Sequence, residues 1–140
     1  MKHPLHPALV HFPVACWSLA SGSDLVGMLW IPSAWQLASV LMAIGTLVAT
    51  VAMAAGLAEL PDLEPGTAVA RDARHHMLFA SAAWSCYAAS LLMRIQVETW
   101  AHPGPLAIGL GLAGFAALCG AGWMGGKLVY LHGIGVRRQD

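Results

Sequence analysis

The chain has 140 residues, the length of one domain; 58% are apolar and only 10% are charged, with 7 basic residues against 7 acidic ones. A soluble domain carries about 25% charged residues, so this chain lacks the polar surface of a water-soluble fold. Its neutral balance also gives nucleic acid no electrostatic handle.

Apolar runs of about 18 residues or more recur, each long enough to cross a bilayer as a helix. The composition therefore predicts an all-α integral membrane protein, an antiparallel four-helix bundle forming a single domain over residues 1–140. Cys16, Cys86 and Cys119 fall inside apolar runs without metal-ligand spacing, which reads as inert thiols. Lys2 precedes an apolar run, but Pro4, Pro7, Pro13 and three histidines interrupt it, and no small-residue cleavage site follows. Residues 1–30 are accordingly read as part of the mature chain.

The first span is expected over 7–30. Pro7 suits a first helical turn, where its missing N–H costs nothing, and Pro13 should bend the helix just after His11. Asp24 lies toward the far end. Ile31-Pro32-Ser33 turns into a second span, 34–57, rich in Ala and Val and closing at Gly56. A polar loop over 59–74 holds Pro65-Gly66, Arg71 and Arg74. The third span is expected over 76–94. A short loop with His102 leads to the fourth, 106–131, where Gly122 and Gly126 have the GxxxG spacing that lets helices approach closely. No internal sequence repeat is evident.

Four spans bring both termini to one side of the membrane. His3, His6 and His11 lie there, with His75 and His76 at the start of span three and His132 after span four. His102 stands across the membrane with Trp30, Trp35 and Trp100, an interfacial aromatic belt. Asp24 and Arg94 fall at similar depth toward that second side and are expected to pair, because an unpaired charge in hydrocarbon costs several kcal/mol.

Three stretches carry a resemblance. His6-Pro7-Ala8-Leu9-Val10-His11-Phe12-Pro13, the segment from Pro65 to His76, and Gly125-Gly126-Lys127-Leu128-Val129-Tyr130-Leu131-His132-Gly133 resemble the bacterial domain-of-unknown-function 2231 family. The likeness runs over nearly the whole chain, with Lys127 where members often carry an acidic residue. It implies a four-helix membrane protein and leaves the chemistry to the residues.

The histidines suggest that chemistry. Neutral imidazole is a common metal ligand, and a b-type haem in a helix bundle takes two from facing helices at equal depth. His11, His76 and His132 meet that depth condition by topology, with His6 about one and a half turns outside His11. His75 and His76 point about 100° apart and cannot serve one iron. Arg71, Arg74 and Lys127 are placed to neutralise propionates, and Trp17, Trp84 and Trp123 to wall a pocket. The leading expectation is a membrane cytochrome b-like electron-transfer protein, rather than a stand-alone enzyme. It would exchange electrons with a quinone or a redox partner protein, as a homo-oligomer or a subunit of a complex. The alternative is a haem-free protein that binds zinc, copper or iron through His6, His11, His75, His76 and His132 with Asp62 or Glu59, or that handles protons. A third possibility is a non-catalytic membrane anchor. No nucleophile–base triad, phosphate loop or paired carboxylates appear.

Lys2, Arg71, Arg74, Arg137 and Arg138 lie on the histidine side, with Lys127 able to reach it, against Arg94 alone on the other. The positive-inside rule then places both termini in the cytoplasm of a bacterial inner-membrane protein. Reporter fusions at Asp140 and in the His102 loop check this; a periplasmic signal at Asp140 would reverse the orientation.

Overall fold

The computed structural model describes residues 5–58, 63–96 and 102–135. Among them the chain is all-helical: α1 (Leu5–Leu9), α2 (His11–Leu29), α3 (Ala34–Ala58), α4 (Ala68–Gln96) and α5 (Pro105–Gly126), closed by a π-helical turn over Lys127–Leu131. The four long helices form the antiparallel membrane bundle expected from composition. By length and composition, α3, α4 and α5 with its π turn can cross a membrane. Asp24 and three serines dilute the apolar character of α2, so it is not among the three.

Local chemistry sets the helix ends. Pro13 has no N–H to give the carbonyl of Leu9, and the chain breaks between α1 and α2 at Val10, one residue before His11 rather than after it. Helix α4 begins at Ala68, eight residues before the expected start. Thr67 caps it, its hydroxyl accepting the Ala70 N–H at 3.2 Å, and Gly66 with φ +86° makes the turn before it. Arg71 and Arg74 therefore stand on the first turns of a helix, both exposed, rather than in a loop. Gly104 precedes α5 and Pro105 opens it.

Helices α2 and α3 form one antiparallel hairpin, α4 and α5 the other. Trp17 is at the centre, stacked on Tyr87 with ring centres 4.7 Å apart and planes 13° from parallel. Its indole N–H donates to Thr46 Oγ1 at 3.3 Å. The Tyr87 hydroxyl donates to the Trp17 carbonyl at 3.2 Å, so Ser21 Oγ, 2.8 Å away, supplies the proton for their shared bond. Trp84 reaches sideways to Thr50, and Trp123 is exposed.

Among the described residues, Gly122 and Gly126 do not mediate the helix approach expected of their spacing. A Cβ at Gly122 would meet nothing within 4 Å, and one at Gly126 only the ring of its near neighbour Tyr130. The glycines that admit α4 lie on another face of α5. Gly114 and Gly120 receive the rings of Tyr87 and Phe79, with a built Cβ 3.0 and 2.7 Å from them.

Below the aromatic layer, Asp24 and Arg94 form the expected pair, both fully buried. The guanidinium grips both carboxylate oxygens, at 3.0 and 2.6 Å. It also donates to Ser39 at 3.2 Å and to Ser90 at 3.4 Å, and Ser90 donates to the Ala107 carbonyl at 2.6 Å. Gly111 leaves room for the carboxylate, since a Cβ there would stand 3.3 Å from it. All four long helices thus contribute to one network. At that end His102 faces the edge of Trp35 at 5.5 Å, Trp30 is exposed, and Trp100 lies outside the described residues.

Removing one partner strands the other charge. Asp24→Ala or Arg94→Ala should each cost about 3–5 kcal/mol, whereas Asp24→Leu combined with Arg94→Leu should cost less than either. Thermal unfolding of the detergent-solubilised protein reads the order; a double variant weaker than both singles would refute it.

Candidate functional site

The opposite end gathers α1, the C-terminal part of α3, the N-terminal part of α4 and the close of α5. His6 on α1 and His76 on α4 approach each other there, ring centres 6.4 Å apart and planes at 87°. His6 Nδ1 lies 2.7 Å from the carbonyl of Ala52 on α3, and His76 Nδ1 lies 2.9 Å from the carbonyl of Ala121 on α5. A carbonyl only accepts, so both Nδ1 atoms carry the proton. The neutral ring then bears its lone pair on Nε2. Metal-binding histidines are commonly fixed in this way, by the other ring nitrogen donating to a carbonyl.

Glycine makes the His6 approach possible and leaves His76 in ordinary contact distance of α5. A Cβ on Gly56 would stand 2.7 Å from the His6 ring, and one on Gly125 would stand 3.4 Å from His76. The ring beside Gly125 is the His76 imidazole. Gly56 was read only as the close of a span.

His132 sits in a different arrangement at the same end. Its Nε2 lies 2.9 Å from Asp72 Oδ2, and the Lys127 ammonium lies 3.1 Å from the same oxygen. The π turn brings this about. The His132 N–H donates to the Lys127 carbonyl at 3.1 Å, an i→i+5 bond that sets the two side chains one turn apart on one face. Gly133 and Gly135, at φ +67° and +77°, then turn the chain away.

His76 is therefore joined by His6. His11 is exposed on the opening turn of α2, His75 is half-buried, and His132 is bound to Asp72. Among the described residues no three His, Cys, Asp or Glu side chains converge as a metal cluster. His3, Glu59 and Asp62 lie outside those residues, as do Lys2, Arg137 and Arg138. Arg71 and Arg74 are exposed at this end, and Lys127 is engaged by Asp72. Asp72 lies within the stretch expected to be a polar loop, 59–74, which hid it among loop residues. Its signal was its position one helical turn before His76.

The architecture is that of a helical membrane protein with paired histidines at one end of its bundle. The chain belongs to the family described as predicted membrane protein (DUF2231), which it matches over residues 2–138. No curated protein and no solved structure matches it.

Asp72 is the only acidic side chain among the described residues that holds the π turn to α4. Asp72→Asn should raise amide hydrogen exchange over 127–135 while leaving the bundle interior protected. Unchanged exchange in that segment would mean that the turn holds without this contact.

Proposed function

We propose that the protein is a small b-type cytochrome of the membrane, with His6 and His76 as the axial pair. The observation that carries this is their spacing. With metal–imidazole bonds of about 2.0–2.1 Å and a ring centre roughly 1.1 Å behind each nitrogen, two axial imidazoles stand about 6.3 Å apart. The observed separation is 6.4 Å.

The donor set also fits. A zinc site takes three or four protein ligands, whereas haem brings four nitrogens of its own and requires two more. Two histidines from different helices, each locked by a main-chain carbonyl, meet that requirement. Among the described residues, Arg71 and Arg74 are the exposed arginines at this end and suit propionates. Bound haem would supply one-electron transfer, with a quinone or a redox protein as partner. The protein contributes axial ligation, burial and charge. We place it in the bacterial inner membrane with both termini cytoplasmic.

Protein purified from haem-replete cells should be coloured. It should show a Soret band, sharp α and β bands on reduction, and the anisotropic low-spin EPR signal of perpendicular imidazole planes. His6→Ala and His76→Ala should each abolish the low-spin spectrum, while His11→Ala and His102→Ala leave it unchanged. A folded, colourless, iron-free protein would end this reading. Zinc or copper at about one equivalent, bound through the same histidines, would put a haem-free metal site in its place.

A further inference from the structure

Three layers of the bundle pair residues at one interval. Asp24 binds Arg94 and Trp17 receives Tyr87 across 70 positions, and the same 70 positions separate His6 from His76. Each layer takes one residue from α1 or α2 and its counterpart from α4.

Contacts inside the two hairpins repeat as well. A Cβ on Gly45 of α3 would lie 2.8 Å from the Trp17 ring and 3.0 Å from Cys16 Cβ; one on Gly114 of α5 would lie 3.0 Å from the Tyr87 ring and 3.2 Å from Cys86 Cβ. His6 donates to Ala52 beside Gly56, and His76 donates to Ala121 beside Gly125. Leu37, Ala38 and Leu41 of α3 recur as Leu106, Ala107 and Leu110 of α5, in the register that matches Gly45 to Gly114 and Gly56 to Gly125. This register is one position shorter than that of the first helices. Several of the shared residues, such as Ala38 with Ala107, are buried, while Leu37 and Leu106 are exposed; the identities are too sparse to register as a repeat in the bare sequence.

We propose that the chain is one two-helix unit present twice, related by a pseudo-two-fold axis along the membrane normal, and that the ligand site lies on this axis. His6 and His76 are then equivalent ligands, with Gly56 and Gly125 as their positioning residues. The ligand's identity rests on the cytochrome reading; the symmetry does not. Two helices per unit return the chain to its starting side, so the copies run parallel, as in other membrane proteins built from parallel repeats with sites between them.

The same device presents each histidine. In an α-helix the carbonyl of Ala52 already accepts the N–H of Gly56, and that of Ala121 accepts the N–H of Gly125. A carbonyl oxygen has a second lone pair. The imidazole reaches it across the space that a side chain at the glycine would fill. A metal-centred planar macrocycle with two equivalent faces suits such a site.

The Asp24–Arg94 layer explains why the halves differ. Two copies of one charge on the axis would repel, whereas opposite charges bind. Arg94 has Ser39 and Ser90 as partners, but their counterparts in the other half are Ile108 and Ala20.

The full chain tests this twice. Gly56→Leu and Gly125→Leu should reduce the low-spin haem spectrum at least tenfold, and to the same extent within about twofold. Gly22→Leu and Gly122→Leu, where a Cβ meets nothing within 4 Å, should leave it unchanged. Independently of any ligand, the exchange Asp24→Arg with Arg94→Asp should recover more than half of the Tm lost by either single change, short of full recovery because Ile108 and Ala20 cannot accept hydrogen bonds. A colourless wild type would remove the haem reading and leave the charge exchange to decide the symmetry. A haem-loaded wild type in which one glycine is indispensable and the other neutral, or an exchange no better than the singles, would overturn the paired site.

Discussion

The bundle depends on placing one carboxylate and one guanidinium inside a medium that solvates neither. An isolated charge at that depth would pull in water or drag its helix toward the interface. Asp24 and Arg94 escape both outcomes only in a bidentate geometry, with Ser39 and Ser90 taking remaining donors. The requirement is directional as well as electrostatic, so it fixes rotation and depth together for the helices involved. Greasy surfaces alone would not do this, because lipid tails satisfy apolar faces as well as another helix does. Small residues then set the separations: Gly111 beside the carboxylate, Gly114 beneath Tyr87, Gly45 against Trp17.

Much of this architecture was written in composition and periodicity. The apolar runs gave the helices, and their even number put the histidine-bearing ends together. Asp24 and Arg94 were legible as a pair because each was a lone charge at the same depth. The start of α4 was not, since Arg71, Asp72 and Arg74 resemble a polar loop until Asp72 finds its partners on the π turn. The GxxxG spacing of Gly122 and Gly126 misled for a related reason. Spacing identifies a helix face, but only the packed structure shows that α5 turns Gly114, Gly120 and Gly125 inward.

The histidine end shows the same division. Depth could be inferred by counting residues along a span, so the presence of His6 and His76 at one end was visible. Partner choice could not, because it turns on rotation. The break at Val10 sets α1 apart from α2, leaving His6 to lodge against α3 while His11 stays exposed. The i→i+5 turn at Lys127 similarly commits His132 to Asp72. Neither a helix break of one residue nor a single π turn has a strong signature in sequence.

The ion pair has a further effect in an energised membrane. A charge moved through a transmembrane potential gains or loses about 2.3 kcal/mol per 100 mV. Asp24 and Arg94 sit side by side at one depth with no net charge, so the voltage does almost no work on them when the bundle inserts. Polarising or depolarising the bilayer leaves their contribution to stability nearly unaltered. Sensitivity to the field is left to the charges at the two surfaces.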